Sequence, residues 1–213
     1  MSALQEFQKG LADNLSGKGG AVVSVCSAHP DVLRALFRSA KKADQIALVE
    51  STSNQVDQYG GYTGLKPADF VASVRRIADE EKFPFERVLL GGDHLGTNSW
   101  RSRPAAEAMD EVHTLVAEYI KAGYKKIHLD ASFVCADDTP PLSDEITAQR
   151  SAEMARTCEA HAGDEKPIYV IGTEVPTPGG AVDDEELRPT SVQDVENTLA
   201  VFKNVFYKND LQD

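Results

Sequence analysis

Residues 87–130 read R-V-L-L-G-G-D-H-L-G-T-N-S-W-R-S-R-P-A-A-E-A-M-D-E-V-H-T-L-V-A-E-Y-I-K-A-G-Y-K-K-I-H-L-D. A short apolar run, Arg87 to Gly91, ends in Gly92, Asp93 and His94. A longer amphipathic run follows from Pro104 to Lys121; it opens on a proline suited to a first helical turn and stops just before Gly123, a natural helix end. A second short apolar run, Lys126 to Asp130, completes the stretch. The pattern predicts strand, helix, strand, and a helical crossover of this length joins parallel strands.

The same alternation extends in both directions. Ala21 to Cys26, Gln45 to Glu50 and Pro167 to Gly172 read as further strands. Each is short and rich in Val, Ile or Leu, as strands buried on both faces should be. Leu4 to Leu15, His29 to Ala43, Pro67 to Glu81, Ser143 to His161 and Ser191 to Tyr207 read as helices. Five β-α units predict an α/β fold with right-handed crossovers. A doubly wound open sheet usually carries a glycine-rich turn after its first strand. Here that turn is C-S-A-H-P. The cluster Gly17-Lys18-Gly19-Gly20 precedes the strand and lacks the spacing of a phosphate-binding loop. A doubly wound open sheet and a (β/α)8 barrel both fit the alternation, and the turn after the first strand weighs against the open sheet.

Bulk properties narrow the function. The formal net charge of -12 opposes binding to a nucleic-acid backbone. No apolar run is long enough to span a membrane, and the N-terminus does not resemble a signal peptide. Three widely spaced cysteines, Cys26, Cys135 and Cys158, imply neither a disulfide framework nor a structural zinc site. A reducing cytoplasm is the expected compartment. Cys26 reads as a small buried residue, and His113 and His161 as surface groups on helices.

All five expected strands end in polar groups. The first ends in Cys26 and Ser27, the second in Glu50 followed by Ser51, Thr52, Ser53, Asn54 and Gln55. The third leads to Asp93 and His94, the fourth carries His128, Asp130 and then Ser132, and the fifth leads to Thr173 and Glu174. In a parallel barrel these ends share one mouth, where barrel enzymes place their chemistry. His94 is a candidate metal ligand, against a structural histidine bonding a nearby loop. Asp93 is a candidate proton donor and acceptor, against a simple cap. Glu174 is a candidate base or metal contact. Asp130 and Ser132 are candidates for substrate binding, although Asp130 reads more simply as orienting another side chain. Glu50 either faces the mouth or pairs with a buried base. His128 either points into the barrel with Asp130 or packs as a core histidine, and the second is the simpler reading. The loop 51–64, S-T-S-N-Q-V-D-Q-Y-G-G-Y-T-G, supplies amides and hydroxyls suited to a polyhydroxylated ligand, Ser53, Asn54 and Gln55 among them. The turn 175–180, V-P-T-P-G-G, is suited to fixing Glu174.

These strings, in their order, resemble one family. C-S-A-H-P, E-S-T-S-N-Q-V-x-Q-Y-G-G-Y-T-G, P-A-D-F, L-G-G-D-H-L-G-x-N, K-I-H-L-D-A-S and Y-V-I-G-T-E-V-P-x-P-G-G are similar to the accessory subunits of D-tagatose-1,6-bisphosphate aldolase. The resemblance implies a (β/α)8 barrel of the class II aldolase type, with residues 1–213 as the N-terminal part of one barrel domain. It implies a cytoplasmic, oligomeric protein that supports a separate zinc-dependent catalytic subunit and binds a sugar phosphate. Some members are named tagatose-6-phosphate kinase, but the phosphate-cradling loop of such chemistry is absent here. Others are discussed as sugar-phosphate 4-epimerases. A looser likeness to catalytic class II aldolases implies zinc on His94 with Glu174 beside it, and Asp93 moving protons. A metal ion there would stabilise a developing oxyanion as a Lewis acid. A complete barrel needs about 250 residues, so further strands and phosphate loops are expected outside this sequence, and little turnover is expected from this chain alone.

Overall fold

The structure is a computed structural model that describes residues 1–172 and 191–211. Five parallel strands, β1 (Ser24–Cys26), β2 (Ala47–Thr52), β3 (Val88–Gly96), β4 (Lys126–Asp130) and β5 (Ile168–Ile171), pair in the order β1-β2-β3-β4-β5. Helices separate them: α2 (Pro30–Ala43), α3 (Pro67–Glu80), α4 (Ala105–Lys121) and α5 (Asp144–His161). Helix α1 (Ala3–Leu15) precedes β1, and α6 (Val192–Lys208) follows β5. Sequence order and spatial order coincide, so the winding never reverses as it does in a doubly wound sheet. The architecture is an α/β unit consistent with part of a (β/α)8 barrel.

Strand alternation sends successive side chains to opposite faces. Ala47, Val49, Leu90, Ile127 and Leu129 join Phe37, Phe70, Val74, Val112, Leu115 and Met154 in one core between the sheet and α2 to α5. Leu48 and Leu89 point the other way and pack with Ile46 under Ala3, Leu4 and Phe7 of α1. Helix α1 therefore covers the inner face near the strand N-termini and leaves the opposite, carboxyl end clear. Its start is fixed by a capping box, in which Ser2 Oγ accepts from Gln5 N–H and the Gln5 side chain accepts from Ser2 N–H. His29 Nδ1 caps α2 by accepting from Asp31 N–H at 3.2 Å.

Several sequence expectations need correction. β1 begins at Ser24 instead of Ala21, and Val23 is 68 % exposed, because among the described residues β1 has one hydrogen-bonded neighbour, β2. β1 and β5 are accordingly less buried than β2, β3 and β4. Cys26 is exposed for the same reason. His113 is not a free surface group: it is half-buried, and its Nδ1 lies 2.8 Å from Thr157 Oγ1, joining α4 to α5. β3 runs five residues past Gly91 because the ladder continues through a bulge.

Candidate functional site

The bulge creates the site. Gly92 pairs with Ile127 and Leu95 with Leu129, so three steps along β3 match two along β4. One extra residue is accommodated, and His94 takes the left-handed region at φ 49° to do so. In a regular strand Asp93 and His94 would face opposite sides. With the bulge, Leu95 still returns to the helix-side core, while Asp93 and His94 both turn toward β4. Ser53 steadies the distortion by donating its hydroxyl to the His94 carbonyl at 3.3 Å. Beyond it, Gly96 lies so close to the Asp130 carbonyl oxygen that no side chain fits.

His128 and Asp130 come from β4, spaced by two, on the face opposite Ile127 and Leu129. His128 Nδ1 lies 3.0 Å from Asp93 Oδ1. His94 Nδ1 lies 3.0 Å from Asp130 Oδ2. Asp130 is almost fully buried, and its other oxygen accepts from Ser132 Oγ at 2.7 Å. A buried carboxylate on Nδ1 sets the imidazole's orientation and leaves Nε2 for other work. That nitrogen faces Asp93 Oδ2 at 3.9 Å. The two imidazole rings lie 4.6 Å apart.

Burial alone would raise the Asp93 carboxyl. The hydrogen bond from His128 and the neighbouring His94, His128 and Lys126 outweigh it and hold the group below the ordinary aspartate range. Asp93 is thus a carboxylate, an acceptor and a hard ligand.

Asp93, His94 and His128 offer ligand atoms that all lie within 4.8 Å of one another, a grouping able to hold a metal ion. Two nitrogens and one carboxylate oxygen suit zinc or a similar divalent ion. A second feature fits. His128 Nδ1 lies between Asp93 Oδ1 and the His94 backbone N–H, which points at it from 3.3 Å. One ring nitrogen cannot donate to the first and accept from the second at once. Protonated on Nδ1, His128 donates to Asp93; deprotonated, its one lone pair takes either the His94 N–H or a cation held beside the Asp93 carboxylate.

The structure brings together four of the residues selected from sequence: Asp93, His94, Asp130 and Ser132. Glu174 and the turn 175–180 lie outside the described residues. Glu50 is buried one level deeper, with Lys126 Nζ at 2.5 Å from Oε1 and Ser24 donating to Oε2. Gln55 closes its own loop, accepting from Thr52 N–H at 2.9 Å and lying 3.6 Å from Cys26 Sγ. Asn54 is exposed at the rim and accepts from Ser99 Oγ at 3.1 Å. The rest of the 51–64 loop is held by Asp57, whose Oδ1 accepts from the N–H groups of Tyr59, Gly60 and Gly61 at 2.7–2.9 Å. A Cβ at Gly61 would sit 2.5 Å from the Gln55 carbonyl oxygen, so glycine is required there.

Sequence reading left His128 between an inward-pointing residue and core packing and preferred the latter; the structure places it in the cluster. The signal was present in the alternation of K-I-H-L-D: Ile127 and Leu129 claim the helix side, which leaves His128 with Lys126 and Asp130. Cys26 also lies near the cluster. Although Cys26 has solvent access at the sheet edge, its thiol is partly desolvated toward the cluster, and this, with Asp93 and Glu50 nearby, pushes it up to about 12, so it is not an activated nucleophile.

Comparison with known proteins bears on the fold and the family. A solved structure described as a probable tagatose 6 phosphate kinase from Sinorhizobium meliloti 1021 is 39 % identical, with a TM-score of 0.79. The match covers 90 % of this chain and 46 % of that one, so the chain spans about half the length of its solved relative. Among the described residues no helix is long and apolar enough to cross a membrane. Residues 7–213 match the model of the D-tagatose-1,6-bisphosphate aldolase subunit GatZ/KbaZ-like family, and the chain belongs to that family.

Proposed function

We propose that this chain acts in the cytoplasm as an accessory subunit of a class II D-tagatose-1,6-bisphosphate aldolase. In this reading it supports the activity and stability of a separate catalytic subunit, in an oligomeric assembly that serves galactitol or N-acetylgalactosamine-type catabolism. We further propose that its mouth holds a divalent cation, zinc by donor set. The observation that carries the metal site is the convergence of Asp93, His94 and His128 at the end of β3 and β4. Asp130 orients His94, and Ser132 orients Asp130. Glu174 is assigned a place beside the cation on resemblance alone. A bound cation would supply Lewis-acid polarisation of a carbonyl or hydroxyl oxygen. Asp93 would accept a proton from a substrate hydroxyl, and the exposed Asn54 would contact the ligand from the rim.

The ligand's phosphate needs a cationic partner. The Lys and Arg residues of the described βα loops are Lys66, Arg101 and Arg103. Arg103 is paired with Glu111 at 2.9 Å. Among the described residues Arg101 has no ion pair, and its guanidinium lies 6.0 Å from the ring centroid of Phe133, the residue after Ser132. Its planar fork suits a phosphate oxygen pair. Phosphoryl transfer is not proposed, because the turn after β1 is not a glycine-rich loop.

The Asp93–His94–His128 grouping also favours a second reading, in which the protein itself turns over ketohexose phosphates as an aldolase or 4-epimerase. One experiment separates the two. Purified full-length protein is analysed for metal and assayed with zinc on tagatose and fructose phosphates, with and without the catalytic subunit. Stimulation of the partner without independent turnover supports the accessory role. Turnover without the partner, lost in Asp93→Asn and His94→Ala, replaces it with the second reading. Absence of both, with no bound metal, refutes the site.

A further inference from the structure

Directly below the cluster, on the same inner face, lies a charged pair that the site has not yet used. Glu50 pairs with Gly91 in the ladder, and Gly91 with Lys126, so the two charged residues sit on strands separated by β3. They meet because β3 has no side chain at that level. A Cβ on Gly91 would lie 2.8 Å from both Glu50 Cγ and Oε1. Across this gap Lys126 Nζ reaches Glu50 Oε1 at 2.5 Å, with the side chains 13 % and 6 % exposed. Ser24 of β1 donates to the second oxygen. Oε1 makes no directed hydrogen bond, so the ammonium is its only partner among the described residues. Two residues further along the same strands stand Thr52, Asp93 and His128.

A buried ion pair is a poor stabilising device, since apolar residues of similar volume commonly do as well or better. Its placement gives it another use. We propose that Glu50 is a positioning residue that neutralises Lys126 beneath the Asp93–His94–His128 group, so that the floor of the site carries no net positive charge against a bound divalent cation. The inference rests on the metal reading above and extends it to residues in the layer below. Two steps along a strand span about 6.6 Å. At that distance an unpaired ammonium repels a divalent cation enough to cost about tenfold in affinity, even at the dielectric of water.

The test is calorimetric titration of the full chain with zinc chloride for wild type, Glu50→Gln, Lys126→Met and the double variant. Glu50→Gln is expected to weaken zinc binding about tenfold or more. Lys126→Met is expected to strengthen it several-fold, since Glu50 then adds a negative charge. The double variant is expected to return near wild type. A role confined to packing would weaken binding in both single variants, and that result, or four equal affinities, overturns the inference. Because the single variants move in opposite directions, misfolding of one leaves the other decisive. If wild type binds no zinc above a His94→Ala control, the metal site fails and takes the inference with it. A flat series on a zinc-binding wild type defeats the inference alone.

Discussion

Adding one methyl group at Gly96 and at Gly10 should have opposite consequences. At Gly96 the new Cβ would lie 1.5 Å from the Asp130 carbonyl oxygen and 2.5 Å from its carbon. Real Cβ atoms essentially never approach within 3.0 Å, so β3 and β4 must separate by about 1.5 Å at this point, the difference of those two distances. Overpacking against side chains costs about 1–3 kcal/mol. Here the obstacle is backbone, which cannot rotate aside, so Gly96→Ala should cost at least ~3 kcal/mol. The displaced residue is also the one whose carboxylate holds His94, so zinc affinity should fall with stability. Gly10 lies inside α1 with nothing within 4 Å of its would-be Cβ. Gly10→Ala should therefore stabilise by about 0.5–1 kcal/mol through helix propensity. With a urea slope of about 2 kcal/mol/M, the midpoint should drop by about 1.5 M in the first variant and rise by about 0.3–0.5 M in the second. A Gly96→Ala midpoint within about 0.5 M of wild type would refute the close approach of β3 and β4 on which the site depends.

Other consequences follow from individual contacts. Asp130→Asn replaces the carboxylate on His94 with an amide and should weaken zinc binding about 10–100-fold, read by competition with a chromophoric chelator. Arg150 holds the Asp138 carboxyl below its ordinary range through two hydrogen bonds. A depressed carboxyl contributes stability that is present above its unfolded pKa, about 3.9, and is lost as pH falls through the folded value. Asp138→Asn should cost about 3 kcal/mol at neutral pH, and urea midpoints of the variant should decline less than wild type on acidification below about pH 4. Arg101→Gln should weaken binding of tagatose 6-phosphate without changing binding of free tagatose, measured by calorimetry on the zinc-loaded protein; equal losses for both ligands would remove Arg101 from phosphate recognition.

Much of the fold was legible because buried parallel strands announce themselves as short β-branched runs, and crossover helices as longer periodic ones. Among the described residues, the centres of the five strands and six helices were visible in that way, including Lys126 to Asp130 to the residue. Ends were less legible. Edge position shortened β1, and a bulge lengthened β3; neither depends on the local composition of its own strand. At the site, Asp93 and His94 stood out as polar residues after an apolar run, and Asp130 as a residue that orients another. For His128 the alternation of K-I-H-L-D allowed an inward-pointing ring, but a core histidine fitted as well until the neighbouring strand supplied Asp93 as its partner.

The amino-acid sequence alone determined the α/β alternation, the polar strand ends and the family, because those depend on local periodicity and on ordered strings of residues. Only the tertiary structure decided that adjacent Asp93 and His94 face the same way, since this depends on β3 accommodating one more residue than β4 allows. Register across strands likewise decided that Glu50 meets Lys126 over Gly91 and that His128 meets Asp93. Pairing between strands is a long-range property, and the groups that meet through it are separated in the chain by 35 residues for His128 and Asp93.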